Sequence, residues 1–346
     1  MAKIDVLLKL MVEYGASDLH ISAGEPPILR INGYLQRTKY HDLTPEEVEI
    51  LLMEILDEDH LTLFKKRKDI DFAYELEGVG RFRANVFMER KGFGGAFRLV
   101  PTKIRTLREL GIPESVYNLA RVKSGLVLVT GATGSGKSTT LAAMLDLINK
   151  EKNYHIITLE DPIEFIHPKG KCLIQQRQLD VHMESFSAGL RAALREDPDV
   201  VLVGEMRDLE TIQLALTAAE TGLLVLGTLH TSSAPKTVDR IIDVFPTTQQ
   251  PQIRTMLSES LRGVIAQRLL RTADGKSRVA AVEVMICTPA IQNLIREGKT
   301  YQILSVMQTG RSMGMQTMED HVKSLLENGV ISEEEGNQYL TKTEGA

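Results

Sequence analysis

Val129-Thr-Gly-Ala-Thr-Gly-Ser-Gly-Lys-Ser-Thr-Thr140, VTGATGSGKSTT, is the stretch from which the fold is read. Gly131, Gly136, Lys137 and Ser138 stand at the spacing G-x-x-x-x-G-K-[ST]. The apolar run Leu126-Val-Leu-Val129 precedes them, and Leu141, Leu145 and Ile148 follow at helical spacing. Strand, glycine-rich turn and helix, in that order, let backbone N–H groups curl around phosphates at a helix N-terminus. Lys137 then reaches the β- and γ-phosphates, and Ser138 supplies a magnesium ligand. A glycine-rich turn without a ligand needs neither the strand before nor the helix after.

Outward from this loop the texture repeats. His155-Ile-Ile-Thr-Leu159, Val200-Val-Leu-Val203 and Leu223-Leu-Val-Leu226 are further apolar runs separated by helical segments. Continuous apolar strands alternating with helices predict a parallel sheet covered on both faces, an α/β fold. Beyond Thr255 the chain reads mostly as helices, ending in a capping box at Ser332-Glu-Glu-Glu335.

The exits of the later strands carry chemistry. Asp199-Val-Val-Leu-Val-Gly-Glu205 ends in Glu205, where a second magnesium-coordinating carboxylate belongs. Leu159-Glu-Asp-Pro-Ile-Glu164 offers Glu160, Asp161 and Glu164, any of which could orient an attacking water; spacing does not choose among them. Gly222-Leu-Leu-Val-Leu-Gly-Thr-Leu-His-Thr-Ser232 places His230 at the strand edge where ligands bind in such sheets. Acids and a histidine at strand ends are often plain polar caps, and it is their company with the phosphate loop that turns the reading toward function.

The first third differs. Ile4, Leu7, Leu8, Met11 and Val12 trace one helical face, while Asp5, Lys9 and Glu13 interrupt any signal-peptide core. Short strands from Leu19 to Leu35 are broken at Gly24-Glu-Pro-Pro27 and at the hairpin signal Asn32-Gly33. Thr44-Pro-Glu-Glu47 forms a capping box before Val48, Leu51, Leu52 and Ile55. Lys65-Lys-Arg-Lys68 reads as a solvated helix end that complements the helix dipole. Alternation in Arg81–Met88 sets Phe82, Ala84, Val86 and Met88 on one face and Arg81, Arg83 and Asn85 on the other, with Arg98 in the next run. Pro101-Thr-Lys-Ile-Arg-Thr106 breaks the pattern, so the boundaries are a domain over 1–100, a linker over 101–114 and a domain carrying the phosphate loop over 115–346.

The 346 residues are 43% hydrophobic and 25% charged, ordinary for a soluble two-domain protein. A net charge of -5 argues against a surface built for nucleic acid. Two cysteines, Cys172 and Cys287, are too few and too distant for a cysteine zinc site and suit a reduced compartment. No apolar run approaches membrane-spanning length, so a cytoplasmic protein is expected.

Taken together these residues resemble the secretion-type ATPases, and specifically the type IV pilus retraction ATPases of the PilT type. The likeness covers nearly the whole chain: Ala16-Ser-Asp-Leu-His-Ile21, the phosphate loop, an aspartate box at Thr158 to His167, Val200 to Asp208, and a histidine box at Thr217 to His230. Ala290-Ile-Gln-Asn-Leu-Ile-Arg-Glu297 resembles the retraction signature AIRNLIRE, with Gln292 in place of an arginine. The resemblance implies a RecA-like P-loop ATPase domain with a smaller PAS-like α+β N-terminal domain, assembled as a homo-hexamer that hydrolyses ATP with Mg2+ to power pilus retraction and twitching motility. It implies nucleotide contacts at Thr133, Gly134, Ser135, Gly136, Lys137, Ser138 and Thr139 and metal contacts at Ser138 and Glu205. It further implies Glu164 as catalytic glutamate, Glu205 as the second acid, His230 on the γ-phosphate, and Arg81, Arg83 and Arg98 as the arginines that close over the nucleotide. The implied partners are an inner-membrane pilus platform protein, on which the cytoplasmic motor docks, and a paralogous accessory retraction ATPase. The related assembly ATPases usually carry a four-cysteine zinc site and a further N-terminal domain; with two cysteines, and on the resemblance to the retraction type, neither is expected here. Two rivals remain on the residues alone: a RecA-like nucleic-acid translocase, and a nucleotide-binding accessory subunit without turnover.

Overall fold

Strand alternation builds the first sheet. The structure, a computed structural model, describes residues 2–31, 33–100 and 103–343, and the chain divides into units spanning Met1–Lys103 and Ile104–Ala346. In the first unit β1 (Asp18–Ser22), β2 (Ile28–Ile31), β3 (Tyr34–Arg37), β4 (Asp69–Leu76), β5 (Gly80–Glu89) and β6 (Gly92–Val100) form an antiparallel sheet in the order β3-β2-β1-β6-β5-β4. Helices α1 (Ile4–Glu13), α2 (Pro45–Met53) and α3 (Glu58–Arg67) bury Ile4, Leu8, Met11, Val48, Leu52 and Phe64 in the same core as Phe82, Ala84, Val86 and Phe97. Each Val, Leu, Ile, Phe or Met side chain among them contributes about 1.5–3 kcal/mol when taken from water. Met88, expected on the buried face, is 43% exposed because it lies near the strand end.

Local signals act as read. Thr44 Oγ1 accepts from Glu47 N at 3.2 Å and Glu47 Oε2 accepts from Thr44 N at 2.8 Å, closing the capping box. Lys65, Lys66 and Arg67 fill the last turn of α3, and Lys68 ends it at φ 62°. The expected features at Asn32-Gly33 and from Pro101 fall in part on Asn32, Pro101 and Thr102, which lie outside the described residues. Beside the former, Ile31 of β2 stands opposite Tyr34 of β3.

In the second unit α4 (Glu114–Ala120), β7 (Gly125–Thr130), α5 (Lys137–Glu151), β8 (His155–Glu160), β9 (Leu173–Gln178), α6 (Phe186–Ala193), β10 (Val200–Val203), α7 (Leu209–Glu220), β11 (Leu224–Leu229), α8 (Ala234–Asp243) and α9 (Gln250–Ser260) follow one another. Then come β12 (Leu261–Arg271), β13 (Arg278–Ile286), α10 (Pro289–Glu297), α11 (Ile303–Thr309), α12 (Met318–Glu327) and α13 (Glu333–Thr343). The sheet order is β13-β12-β7-β11-β10-β8-β9, parallel throughout except for β13, which runs antiparallel to β12. Its faces are covered by two cores, one containing Leu128, Leu159, Val203 and Leu229 and the other Val127, Val129, Leu202 and Ile265. The fold is α/β, as expected.

The expectation of helices beyond Thr255 fails for 261–286, which form the β12–β13 hairpin. Val264, Ile265, Ala266 and Gln267 of β12 are all buried, as are Ala280 to Met285 of β13. Strands covered on both faces lose the two-residue alternation that distinguishes them from helices in sequence. At the chain's end Ser332 Oγ accepts from Glu335 N at 3.2 Å, one half of the expected capping box, while Glu335 Oε1 accepts from Arg271 N at 3.1 Å. Among the described residues no helix is long and apolar enough to cross a membrane.

Candidate active site

Parallel pairing brings the exits of β7, β8, β10 and β11 to one edge of the second unit's sheet. In open α/β sheets this carboxyl edge is where ligands bind. A cavity there is lined by Ser138, Glu160, Asp161, Glu164, Glu205 and Thr228, among others.

The phosphate loop leaves β7 through three glycines at positive φ, Gly131 at 144°, Gly134 at 78° and Gly136 at 89°. These conformations turn successive N–H groups inward, and only glycine adopts them without strain. Thr133 and Gly134 are exposed, Ser135 is buried with its Oγ lacking a hydrogen-bond partner, and Gly136, Lys137, Ser138 and Thr139 are half-buried at the start of α5. A cradle of this kind, with an orphaned buried hydroxyl and a helix N-terminus, fits a nucleotide's phosphates. Lys137 Nζ donates to Gly131 O at 2.8 Å and Ala132 O at 3.1 Å. Burial holds its pKa below the usual lysine value, opposed by Glu205 and Glu164.

Glu205 follows Gly204 at the end of β10. Its Oε1 receives Arg207 Nε and lies 3.0 Å from His230 Nε2, which leaves the end of β11. A methyl group added at Gly204 would come within 2.9 Å of Leu159 O, so the chain there passes directly against the exit of β8. Ser138 and Glu205 are a hydroxyl and a carboxylate of the type that hold Mg2+, a cation that keeps several waters and needs few protein ligands. Among the described residues no cluster of three or more His, Cys, Asp or Glu side chains could hold a metal alone.

The three acids after β8 are unlike one another. Glu160 accepts from Thr158 Oγ1 at 2.6 Å, from Gln176 Nε2 at 3.0 Å and from the Glu164 backbone N–H; burial nonetheless pushes its carboxyl up. Asp161 and Glu164 are exposed at the cavity. Gln176 and Gln178 of β9 clasp the intervening loop: Gln176 Nε2 donates to Phe165 O at 2.8 Å, Gln176 Oε1 accepts from His167 N at 3.2 Å, and Gln178 Oε1 accepts from Ile163 N at 3.3 Å. From the other side Asn149 of α5 bonds Pro168 O at 2.9 Å and Cys172 N at 3.1 Å. These amides were invisible to sequence reasoning; their only trace is the alternation of Gln176 and Gln178 in β9. Arg207 was missed as well, although it stands two residues from Glu205.

Thus the second unit gathers Lys137, Ser138, Glu164, Glu205 and His230 at one edge. Arg81, Arg83 and Arg98 belong to the first unit's sheet. Arg83 and Arg98 stand directly opposite on β5 and β6. Arg98 Nε donates to Asp18 Oδ1 at 2.8 Å, Arg83 Nε lies 3.6 Å from Asp71 Oδ1, and Arg81 Nε is buried with no hydrogen-bond partner. Asp18 also faces Arg30 at 3.7 Å, and its hydrogen bonds and charge partners hold its carboxyl below the usual value against the opposing effect of burial.

The family described as Type II/IV secretion system protein matches residues 2–343. The chain is 52% identical over 335 residues to the "Type IV pilus retractation ATPase PilT" of Pseudomonas aeruginosa, covering 97% of each. It is 49% identical to a "Twitching motility protein" of Neisseria gonorrhoeae, over 92% of this chain and 85% of that one. A crystal structure of the pilus retraction motor PilT with bound ADP superposes with a TM-score of 0.91 at 47% identity, covering 98% of this chain and 96% of that chain.

Proposed function

The chain belongs to the Type II/IV secretion system protein family, and from that membership we propose how its active edge works, as an ATP-hydrolysing motor that powers type IV pilus retraction. It is a RecA-like ATPase with an N-terminal domain. We read the first unit as that PAS-like domain, the second as the motor core, and the working assembly as a homo-hexamer docked on an inner-membrane platform protein.

The observation that carries this reading is the convergence of the phosphate loop, Glu164 and the Glu205–His230 pair on one sheet edge. The loop's N–H groups and Lys137 hold the β- and γ-phosphates in place. Ser138 and Glu205 hold Mg2+, which when bound offsets charge developing on the phosphate oxygens. Glu164 accepts a hydrogen bond from the attacking water and aligns it with the γ-phosphorus; Glu160 keeps Glu164 in position through its backbone N–H. The water oxygen bonds to the γ-phosphorus as the bond to the β–γ bridging oxygen breaks, giving ADP and phosphate with release of the water's proton. His230 meets the γ-phosphate and so distinguishes ATP from ADP. One of Arg81, Arg83 and Arg98 supplies the guanidinium charge such transition states use, making domain rotation depend on the γ-phosphate.

The test is steady-state ATPase activity of the purified protein beside Glu164→Gln, with native mass on both. A hexamer that turns over and loses that turnover in the variant supports the motor. A parent hexamer that binds ATP without turnover would replace it with the accessory-subunit reading.

A further inference from the structure

Gln267 sits behind the phosphate loop and takes no part in the chemistry described above. It lies in β12, the parallel neighbour of β7, with 2% of its surface exposed. Its Oε1 accepts a hydrogen bond from Thr140 Oγ1, itself buried on the first turn of α5, at 2.8 Å across 127 residues of sequence. That bond fixes which way the amide faces and turns Nε2 toward the loop: a methyl group added at Gly136 would lie 2.7 Å from it. The backbone of the same residue abuts the loop's other end, where a methyl group at Gly131 would lie 2.3 Å from Gln267 O and 2.6 Å from Ser135 Oγ.

One buried residue therefore backs both glycines, Gly131 with its carbonyl and Gly136 with its amide, and that same amide grips the helix that begins at Lys137. We propose that Gln267, through its bond to Thr140, is a positioning residue for nucleotide binding, holding the phosphate loop in the curled form before phosphates arrive. A fully buried amide is costly unless it is hydrogen-bonded, so the pair is not neutral filler. Preformed donors bind charge without paying to reorganise, and a loop released from Gln267 would have to be ordered by the nucleotide itself. Leu269 lies beside Gly136, and Ile265 belongs to the adjoining core. The inference rests on the reading of this loop as the nucleotide site.

The experiment titrates a fluorescent ADP analogue into the full chain and into Gln267→Leu, Thr140→Val, the double variant and Thr140→Ser, with Lys137→Ala as control. Loss of a satisfied buried bond predicts roughly tenfold weaker binding in each of the first two. The double variant is expected to be no weaker than the worse single, since both remove one bond. Thr140→Ser, which keeps the hydroxyl, is expected to bind like the parent. Melting temperatures of the nucleotide-free single variants are expected to fall, since each leaves a buried polar group unpaired, and a purely structural role would lower them without weakening ADP binding. Parent-like affinity in both single variants overturns the proposal, as does a Thr140→Ser variant as weak as Thr140→Val. If Gln267→Leu does not fold, the Thr140 pair decides alone. Undiminished binding by Lys137→Ala would instead remove the nucleotide-site reading, a separate failure.

Discussion

Nε2 of His230 stands 3.0 Å from Oε1 of Glu205, joining the ends of two adjacent parallel strands. Each side chain orients the other at the carboxyl edge of the sheet. Glu205→Gln keeps the shape and removes the charge, so turnover is expected to fall by roughly 10²–10³-fold, the loss typical of one preorganised electrostatic contact. ADP binding should survive, because the loop and Lys137 remain. Steady-state rates at saturating Mg2+ and ATP check this, and a variant as fast as the parent would remove Glu205 from the mechanism.

The acids after β8 should separate cleanly. Glu164, exposed at the cavity, has little to do with stability; Glu164→Gln is expected to lower turnover about a hundredfold with an unchanged melting temperature. Glu160 is buried under three donors, and Glu160→Leu removes the acceptor of Thr158 Oγ1 and of the Glu164 N–H and one of the two acceptors of Gln176 Nε2. That variant should lose about 1–3 kcal/mol of stability in urea unfolding. Exchanged phenotypes would reverse the two roles.

His167 predicts an acid-sensitive fold. Burial lowers its pKa from 6.5 to about 4, against the pull of Asp146. Between those values the unfolded chain takes a proton that the folded chain refuses, so the stabilisation is complete above pH 6.5 and is lost as pH falls toward 4. By linkage the His167 contribution to the loss between pH 7.5 and pH 5 is about 2 kcal/mol. His20 and His321 are lowered by burial too, so the difference between parent and His167→Gln isolates this residue. Equal pH slopes for the two proteins would contradict the assignment.

Two glycines of the phosphate loop should respond unequally to alanine. At Gly134 the new methyl group meets nothing within 4 Å and bears only the strain of φ 78°, about 1–2 kcal/mol. At Gly131 it would collide with a backbone oxygen that cannot swing away. Nucleotide affinity should therefore fall modestly in Gly134→Ala and be lost in Gly131→Ala; the opposite ranking in an ADP titration would be incompatible with this loop geometry.

Sequence reading reached the phosphate loop and the four parallel strands because each is a local pattern. It stopped where the physics is long-range. The β12–β13 hairpin passed for helix since Ala266, Gln267, Leu269 and Leu270 are good helix formers and burial on two faces erased the alternation. Spacing could not separate the buried Glu160 from the exposed Asp161 and Glu164, because the glutamines of β9 that hold this loop meet it only after the sheet has formed. Gln267 left no trace at all, its partner being 127 residues away.

The position of β11 has a mechanical consequence. It lies between β7 and β10, paired residue for residue from Leu224 opposite Gly125 to Leu229 opposite Thr130, and from Val200 opposite Leu224 to Val203 opposite Gly227. Strands so welded cannot slide past one another, and the phosphate loop, Glu205 and His230 share one unyielding bench. Force produced by hydrolysis must then leave through whatever is hung from that bench, the loops after Glu160 and His230 and the helices beyond them, while the sheet itself serves as the anvil.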